Sequence, residues 1–429
     1  MKRIFIIIGA GCLLLTACGG GGGGSKSPPP PPPPPPAVCN DSIEFCSAIP
    51  GTADPCADSQ YWPLNTVSAL HPVTVHYPRL TDEQKALEMI GLLEESWSVQ
   101  IDALGFTAPI DDQGQCGPDG NFDVFIWRGI GGAYVADVST NPATPYDDYS
   151  TFMAIDINGQ TGGPFLASYL AHEFNHALQA SDDWWEDSQY YESGATFAEF
   201  LVFPTLDDYV FTFEDFQDNP SWSVFFNDSF ATWYMYGAAM YLHYLSERHF
   251  ANDPAFYARI WRATRSVPSG QRPDYIDALR EILLTERGAT LDDTVIEFMQ
   301  WRWFVGQFDD GAHFSKGAEW PHSVPFTDID ITTLPANQPL DAMVYGANYF
   351  RLSNSGGSPI NVNALLQQSD ADVNWKIYNV DGAEVTAPLS IPASGSVVIV
   401  ALVLPVNEIW TDTLSFADRT ANLSLVVVP

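Results

Sequence analysis

The chain has 429 residues, and its 53 Asp and Glu against 18 Lys and Arg give a formal net charge of −35. Such a balance argues against nucleic acid as a partner, because binding to phosphates depends on cationic side chains that release counterions. Hydrophobic residues make up 46% of the chain, enough for sizeable cores, and the length predicts two or three domains. The oligomeric state stays open.

The first residues are typical of an export signal. Lys2 and Arg3 precede an apolar run over 4–15 that is too short to span a bilayer. The run Leu15-Thr16-Ala17-Cys18-Gly19 resembles the bacterial lipoprotein box, which implies removal of 1–17 and a diacylglycerol on Cys18. Because Gly19 replaces the aspartate that retains lipoproteins in the inner membrane, we expect a lipid-anchored protein of the outer membrane or cell surface.

Residues 18–38 form a low-complexity tether with no means of building a core. Its glycine part, 19–24, is flexible, whereas the prolines of 28–36 form a stiff polyproline II spacer of about 28 Å. The sequence therefore predicts a folded part that is held away from the membrane.

Four cysteines follow the lipidated Cys18, an even number in an exported chain: Cys39, Cys46, Cys56 and Cys116. Two disulfides are expected, and the sequence leaves all three connectivities open. The loop 111–121, rich in aspartate, glycine and amide side chains, is a candidate Ca²⁺ site that lacks the full EF-hand pattern.

Strands are predicted ahead of the central helices, at 73–77, 122–127, 133–137 and 151–156. Thr81 and Gln84 predict a capping box for an amphipathic helix between the first two strands. This order predicts an α+β domain in which an edge strand can pair with an extended peptide.

The run His172-Glu173-Phe174-Asn175-His176 has metal-binding spacing. On a helix, residues four apart lie on one face, so both imidazoles can bind one ion at roughly 2.0–2.1 Å. Glu173 is rotated away from the ligand face and can act as a base toward a water on the ion. Gly162-Gly163-Pro164 can begin this helix. The run predicts a zinc site that needs a third protein ligand.

The segment from Tyr190 to Phe200 has Glu192 near its start and Glu199 seven residues later on the same helical face. Together the two runs resemble the gluzincin metallopeptidases, and most closely secreted bacterial forms of them. The resemblance implies that Glu192 is the third Zn²⁺ ligand and that Glu199 orients a ligand imidazole.

Asp182 is a rival third ligand, as in the metzincin arrangement, but Gln179 occupies the position where that family has a glycine for a sharp turn. Glu192 is therefore favoured. The acidic residues of this segment are expected to form a solvated loop with a helix N-cap: Asp182, Asp183, Glu186 and Asp187. Tyr236, and after it Tyr234, are the candidates for stabilising the oxyanion. His243 and His249 are expected to pack or to be solvated.

Past His313 the pattern changes to short β-type runs, at 342–345, 347–352, 373–378, 396–403 and 421–428, with a hairpin-like turn at 379–382. The predicted fold is thus a zincin-like domain over 39–312, with a mixed sheet, active-site helices and a helical subdomain, followed by a C-terminal β-sandwich over 325–429.

The resemblance implies a zinc-dependent metalloendopeptidase that acts on a protein or peptide substrate at the cell surface. Two alternatives stay open: a catalytically inactive zincin-fold adhesin or binding lipoprotein, and a zinc hydrolase of a non-peptide bond.

Overall fold

A computed structural model describes residues 4–8, 49–267, 273–407 and 414–428, so the predictions for Cys18, the tether, Cys39 and Cys46 lie outside the described residues. Over these residues the protein is a mixed α/β structure with three sheets, consistent with the α+β class. Two compact units are present: unit 1 comprises Met1–Ser98, Ala108–Pro142 and Tyr149–Ser181, and unit 2 comprises Val99–Thr107, Ala143–Asp148 and Asp182–Pro429. Within the described part, no helix has the length and apolar character needed to cross a membrane.

Unit 1 contains strands β1 (Ile4–Ile8), β2 (Leu64–Val67) and β3 (Val73–Tyr77), helix α1 (Glu83–Trp97), strands β4 (Phe122–Ile126), β5 (Gly132–Thr140) and β6 (Tyr149–Ile155), and helix α2 (Leu166–Ala180). The strands form one sheet in the order β1-β5-β6-β4-β3-β2. The pairs β3/β4 and β4/β6 are parallel, and the other pairs are antiparallel. Strand β1 lies within the apolar run assigned above to the export signal.

Two adjacent interior strands of this sheet, β3 and β4, are buried along their whole length. Every residue of β3 is buried, and so is every residue of β4. Helices α1 and α2 pack beside each other, with the rings of Trp97 and Phe174 5.9 Å apart. The predicted strand at 73–77 is confirmed. Its unbroken run of β-forming residues suits a strand that is covered on both faces.

The predicted capping box of α1 is wrong. The helix begins at Glu83, after a 3₁₀ turn over Leu80–Asp82, and its N-cap residue Asp82 makes no side-chain capping bond. The buried Asp82 carboxylate instead accepts a hydrogen bond from Arg128 Nη2 at 2.5 Å. A long-range ion pair thus replaces the local cap.

A disulfide joins Cys56 to Cys116 in unit 1, which confirms one of the expected bridges. Cys116 is buried in an apolar cluster that includes Trp62, Phe125 and Trp127. The bridge therefore fixes the 111–121 loop against the hydrophobic core.

Unit 2 begins with helices. They are α3 (Ser188–Val202), α4 (Thr212–Asp218), α5 (Tyr234–Gly237), α6 (Ala239–Tyr244), α7 (Ala255–Thr264), α8 (Tyr275–Ile282) and α9 (Leu291–Trp301), with π-helical segments at Ser98–Ala103, Leu245–His249 and Leu283–Arg287. Aromatic side chains fill the space between the helices. The buried Arg302 guanidinium lies 4.1 Å from the centre of the Phe216 ring and donates to Gln217 Oε1.

The C-terminal part of unit 2 contains two four-stranded sheets. Their strands are β7 (Phe326–Asp330), β8 (Ala336–Ala342), β9 (Ala347–Ser353), β10 (Ile360–Gln368), β11 (Val373–Asn379), β12 (Leu389–Ile391), β13 (Ser396–Pro405) and β14 (Arg419–Val428). The strand orders are β12-β10-β14-β8 and β11-β13-β9-β7. The strands predicted at 347–352, 373–378, 396–403 and 421–428 are confirmed.

The predicted strand at 342–345 is wrong, because 343–346 forms a turn between β8 and β9. Tyr345 has a positive φ of 66° there, and the turn pairs with the chain at 220–224. Met343 N donates to Ser221 O at 2.8 Å, and Val224 N donates to Tyr345 O at 3.3 Å. Tertiary hydrogen bonds thus override the strand preference of Val344 and Tyr345.

Candidate metal centre

Helix α2 places His172, Glu173 and His176 in the interior of the protein. Their exposed fractions are 1%, 0% and 0%. The two imidazole rings lie one turn apart, with centroids 4.7 Å from each other and planes at 88°. This is the arrangement that the four-residue spacing predicts for a helix.

Gln179 lies one turn after His176 on the same helix. Its Oε1 atom is 2.8 Å from His176 Nδ1, and both side chains are fully buried. Because an amide oxygen can only accept a hydrogen bond, the imidazole must donate from Nδ1, which leaves the lone pair on Nε2. Gln179 therefore holds His176 in the tautomer that binds a metal through Nε2. The i,i+3 spacing of Gln179 from His176 is the signal in the sequence that indicates this contact.

Helix α3 contributes Glu192, which is also fully buried. The N-cap of α3 is Asp187, whose carboxylate accepts a hydrogen bond from Gln189 N at 2.9 Å. One ligand atom from each of His172, His176 and Glu192 lies within 4.8 Å of the other two.

The donor set of these three residues fits zinc. Two imidazoles and one carboxylate form a set that catalytic zinc sites use, with a fourth position left for water. Ligand atoms bound tetrahedrally to one zinc ion lie about 3.4 Å apart. The observed limit of 4.8 Å is compatible with one shared ion.

Asp182, the rival third ligand, is hydrogen-bonded to other residues of unit 2. Its Oδ1 atom accepts hydrogen bonds from Thr107 Oγ1 at 2.7 Å and from Arg265 Nε at 2.9 Å. Burial raises the pKa of the Asp182 carboxyl, and Thr107 and Arg265 act in the lowering direction. These contacts give Asp182 a structural role within unit 2.

The expectation of a solvated acidic loop at 182–187 is wrong, although its N-cap is confirmed. Asp182, Asp183 and Glu186 are all buried. Burial raises the pKa of the Asp183 carboxyl to about 7, even though it accepts hydrogen bonds from Trp185 N and Ser266 Oγ. Three of the four acidic side chains in this segment are therefore buried, and only Asp187 is exposed.

The two candidate tyrosines of α5 differ in their surroundings. The buried Tyr234 hydroxyl donates to the carbonyl oxygens of Trp222 and Ser223, at 3.1 and 2.9 Å. Its proton is therefore engaged in holding the backbone. Tyr236 is 5% exposed, and its ring lies 5.1 Å from that of Trp233. Tyr236 remains the predicted oxyanion donor, and Glu199, half-buried near the end of α3, remains the predicted orienting carboxylate.

His243 packs inside an aromatic cluster, as expected for a histidine without chemistry. The ring centroids of Phe200, Phe197 and Trp320 lie 4.6, 5.0 and 5.2 Å from its own. Burial lowers the pKa of His243 to about 3, with a smaller contribution from Lys316. His249 Nε2 is hydrogen-bonded to the Tyr244 hydroxyl oxygen at 2.8 Å.

Comparisons with known proteins add little to these observations. No protein-family model matches the chain, and no curated protein matches it. Among solved structures, similarity is found to the periplasmic inhibitor of g-type lysozyme, PliG, from Aeromonas hydrophila, with 13% identity and a TM-score of 0.17 over 24% of this chain and 97% of that one. So low a TM-score carries no argument about fold or function.

Proposed function

We propose that the protein is a zinc-dependent metalloendopeptidase. One observation carries the proposal: ligand atoms of His172, His176 and Glu192 come within 4.8 Å of one another, and Glu173 directly follows the first of them. A structural zinc site needs four protein ligands and no adjacent base, whereas a catalytic site has three ligands and keeps one position open.

Zinc, when bound, would polarise a substrate carbonyl and acidify a water molecule. Glu173 would accept the proton of the attacking water and return it to the leaving amine. Gln179 would hold the His176 imidazole in its ligating tautomer. Tyr236 would donate a hydrogen bond to the oxygen on which negative charge develops.

The finer features of the fold belong to the same proposal. The mixed sheet of unit 1, followed by the helix that carries the histidines, supports a zincin-like catalytic fold. The two C-terminal sheets support a β-sandwich that serves as an accessory module. We also infer a bacterial lipoprotein anchored through Cys18, with protein or peptide substrates at the cell surface.

The test uses the purified chain with measured zinc content and an unfolded protein such as casein as substrate. Glu173→Gln keeps the shape of the side chain but cannot accept a proton. It should retain zinc while activity falls by about 10²–10⁴-fold, the usual contribution of a positioned base. The exposed Glu95→Gln is the matched control and should keep full activity.

Metal analysis separates the candidate ligands. His176→Ala and Glu192→Ala should lose zinc, whereas Asp182→Ala should retain it if it folds. Full zinc in Glu192→Ala would reject this ligand set. A zinc-loaded wild type that cleaves no unfolded protein or peptide library would reject the peptidase and favour a binding lipoprotein.

A further inference from the structure

A second group of buried acidic residues lies in unit 1. Asp112 belongs to the 111–121 loop and Asp123 to strand β4, and they are 3% and 1% exposed. One ligand atom from each of Asp112, Cys116 and Asp123 lies within 4.8 Å of the other two. Two buried carboxylates this close together repel each other unless a cation or a proton lies between them.

Cys116 cannot supply a thiolate to this group, because its sulfur is bonded to Cys56. Only carboxylate oxygens remain among the three side chains. An all-oxygen donor set suits a hard cation such as Ca²⁺ and is a poor match for zinc, which favours nitrogen and sulfur.

One oxygen of the Asp123 carboxylate is hydrogen-bonded, and the other has no hydrogen-bond partner among the described residues. Oδ1 lies 2.5 Å from His76 Nε2 on the neighbouring strand β3. Oδ2 is buried and has no hydrogen-bond partner among the described residues. Leaving a charged oxygen buried and unpaired is costly, so this atom points to a ligand.

The loop leaves room for that carboxylate. A Cβ atom on Gly117 would lie 2.7 and 2.8 Å from the two Asp123 oxygens, so only glycine permits this approach. Asp112 is fixed from the same loop, because its Oδ1 accepts from Gly114 N at 2.8 Å and its Oδ2 from Cys116 N at 2.5 Å. Each of these carboxylate oxygens keeps a further lone pair.

We propose that Asp112 and Asp123 bind one Ca²⁺ ion, with backbone carbonyls and water completing the coordination. The His76 imidazole orients the Asp123 carboxylate, and the Cys56–Cys116 disulfide fixes the loop. The ion stabilises unit 1 and takes no part in the chemistry of His172 and His176, so the site is independent of the proposed peptidase activity.

Terbium, which replaces calcium in oxygen sites, provides a direct probe. Trp62 and Trp127 pack in the same apolar cluster as Cys116, so their excitation should sensitise the emission of a bound Tb³⁺ ion. The zinc-loaded full chain should show saturable sensitised emission that Ca²⁺ competes away and Mg²⁺ does not. Ca²⁺ should also raise the melting temperature by several degrees.

Asp123→Asn and Asp112→Asn should each lose the emission and the calcium-dependent rise in melting temperature. The exposed Asp102→Asn is the matched control and should keep both. His176→Ala should lose zinc but keep the Tb³⁺ signal, which separates this site from the zinc centre. The proposal is overturned if wild type shows neither emission nor a calcium-dependent melting shift, or if Asp112→Asn and Asp123→Asn both behave like Asp102→Asn.

Discussion

Gln179 and His176 illustrate how one helix can both carry and orient a proposed metal ligand. The 2.8 Å bond from His176 Nδ1 to Gln179 Oε1 lies in a fully buried setting, where no water competes for the imidazole. A ligand imidazole usually has such a partner on its second nitrogen, most often a carboxylate or a carbonyl. A neutral amide at this position fixes the ring without adding another negative charge to a buried site.

Gln179→Leu should lower the zinc affinity by about 10–100-fold, because the imidazole loses the acceptor that fixes its tautomer. Gln179→Glu, which keeps an acceptor oxygen, should recover most of the affinity. Zinc affinity is measured by competition with a chromophoric chelator, and the Co²⁺ absorption spectrum reports the ligand geometry. Equal affinity and an unchanged Co²⁺ spectrum in Gln179→Leu would show that the bond does not position the ligand.

At the scale of elements, the turn between β8 and β9 joins the C-terminal sheets to the helical part of unit 2. Gly346 lies at this turn, and a Cβ atom on it would collide with the Ser221 carbonyl oxygen. Nearby, the Tyr349 hydroxyl donates to Met299 O at 2.5 Å, and Gln300 Nε2 donates to Asn379 O at 2.9 Å. The predicted boundary between 312 and 325 thus lies inside one compact unit.

Gly346→Ala should destabilise the protein by about 1–3 kcal/mol, because overpacking at a close backbone approach forces the turn away from Ser221. Gly357→Ala is the matched control, since a Cβ atom there meets nothing within 4 Å. Urea unfolding of both variants measures the difference. Equal stability of the two would mean that the turn adjusts without cost.

The sequence predicted the elements that depend on local pattern. Strand β3 follows from a run of buried β-formers, and the pairing of His172 with His176 follows from helical spacing. What it could not predict depends on partners far along the chain. The ion pair of Asp182 with Arg265 spans 83 residues, and the Cys56–Cys116 bridge spans 60. The sequence predicts Tyr234 as a second candidate for stabilising the oxyanion. In the structure its hydroxyl donates to the carbonyl oxygens of Trp222 and Ser223, and local sequence does not show that folding brings these groups together.

At the scale of the whole molecule, the proposed anchor at Cys18 and the predicted tether over 18–38 lie outside the described residues. In the proposed lipoprotein, a spacer of glycine and proline would separate the motions of the folded part from those of the membrane. The net charge of −35 would also keep it away from an anionic membrane surface. Under this proposal, attachment would depend on the lipid.

Cys18→Ser should abolish lipidation and move the protein from the membrane fraction to the soluble fraction, without a change in folding. Incorporation of labelled palmitate and fractionation of the expressing cells measure both effects. Cys12→Ser, which changes a residue of the predicted signal, is the control and should leave the lipid in place. A wild-type protein recovered entirely unlipidated would contradict the anchor.

The aromatic cluster around His243 makes one contribution to stability depend on pH. Burial lowers the pKa of His243 to about 3 in the folded state, against about 6.5 for an unperturbed histidine. Between these values the unfolded chain binds a proton that the folded protein does not. The stabilisation is therefore complete above about pH 6.5 and is lost as the pH falls toward 3. Across that window this residue alone lowers the free energy of unfolding by about 1.4 kcal/mol per pH unit. Acidic surroundings would thus remove the contribution of this one residue to stability.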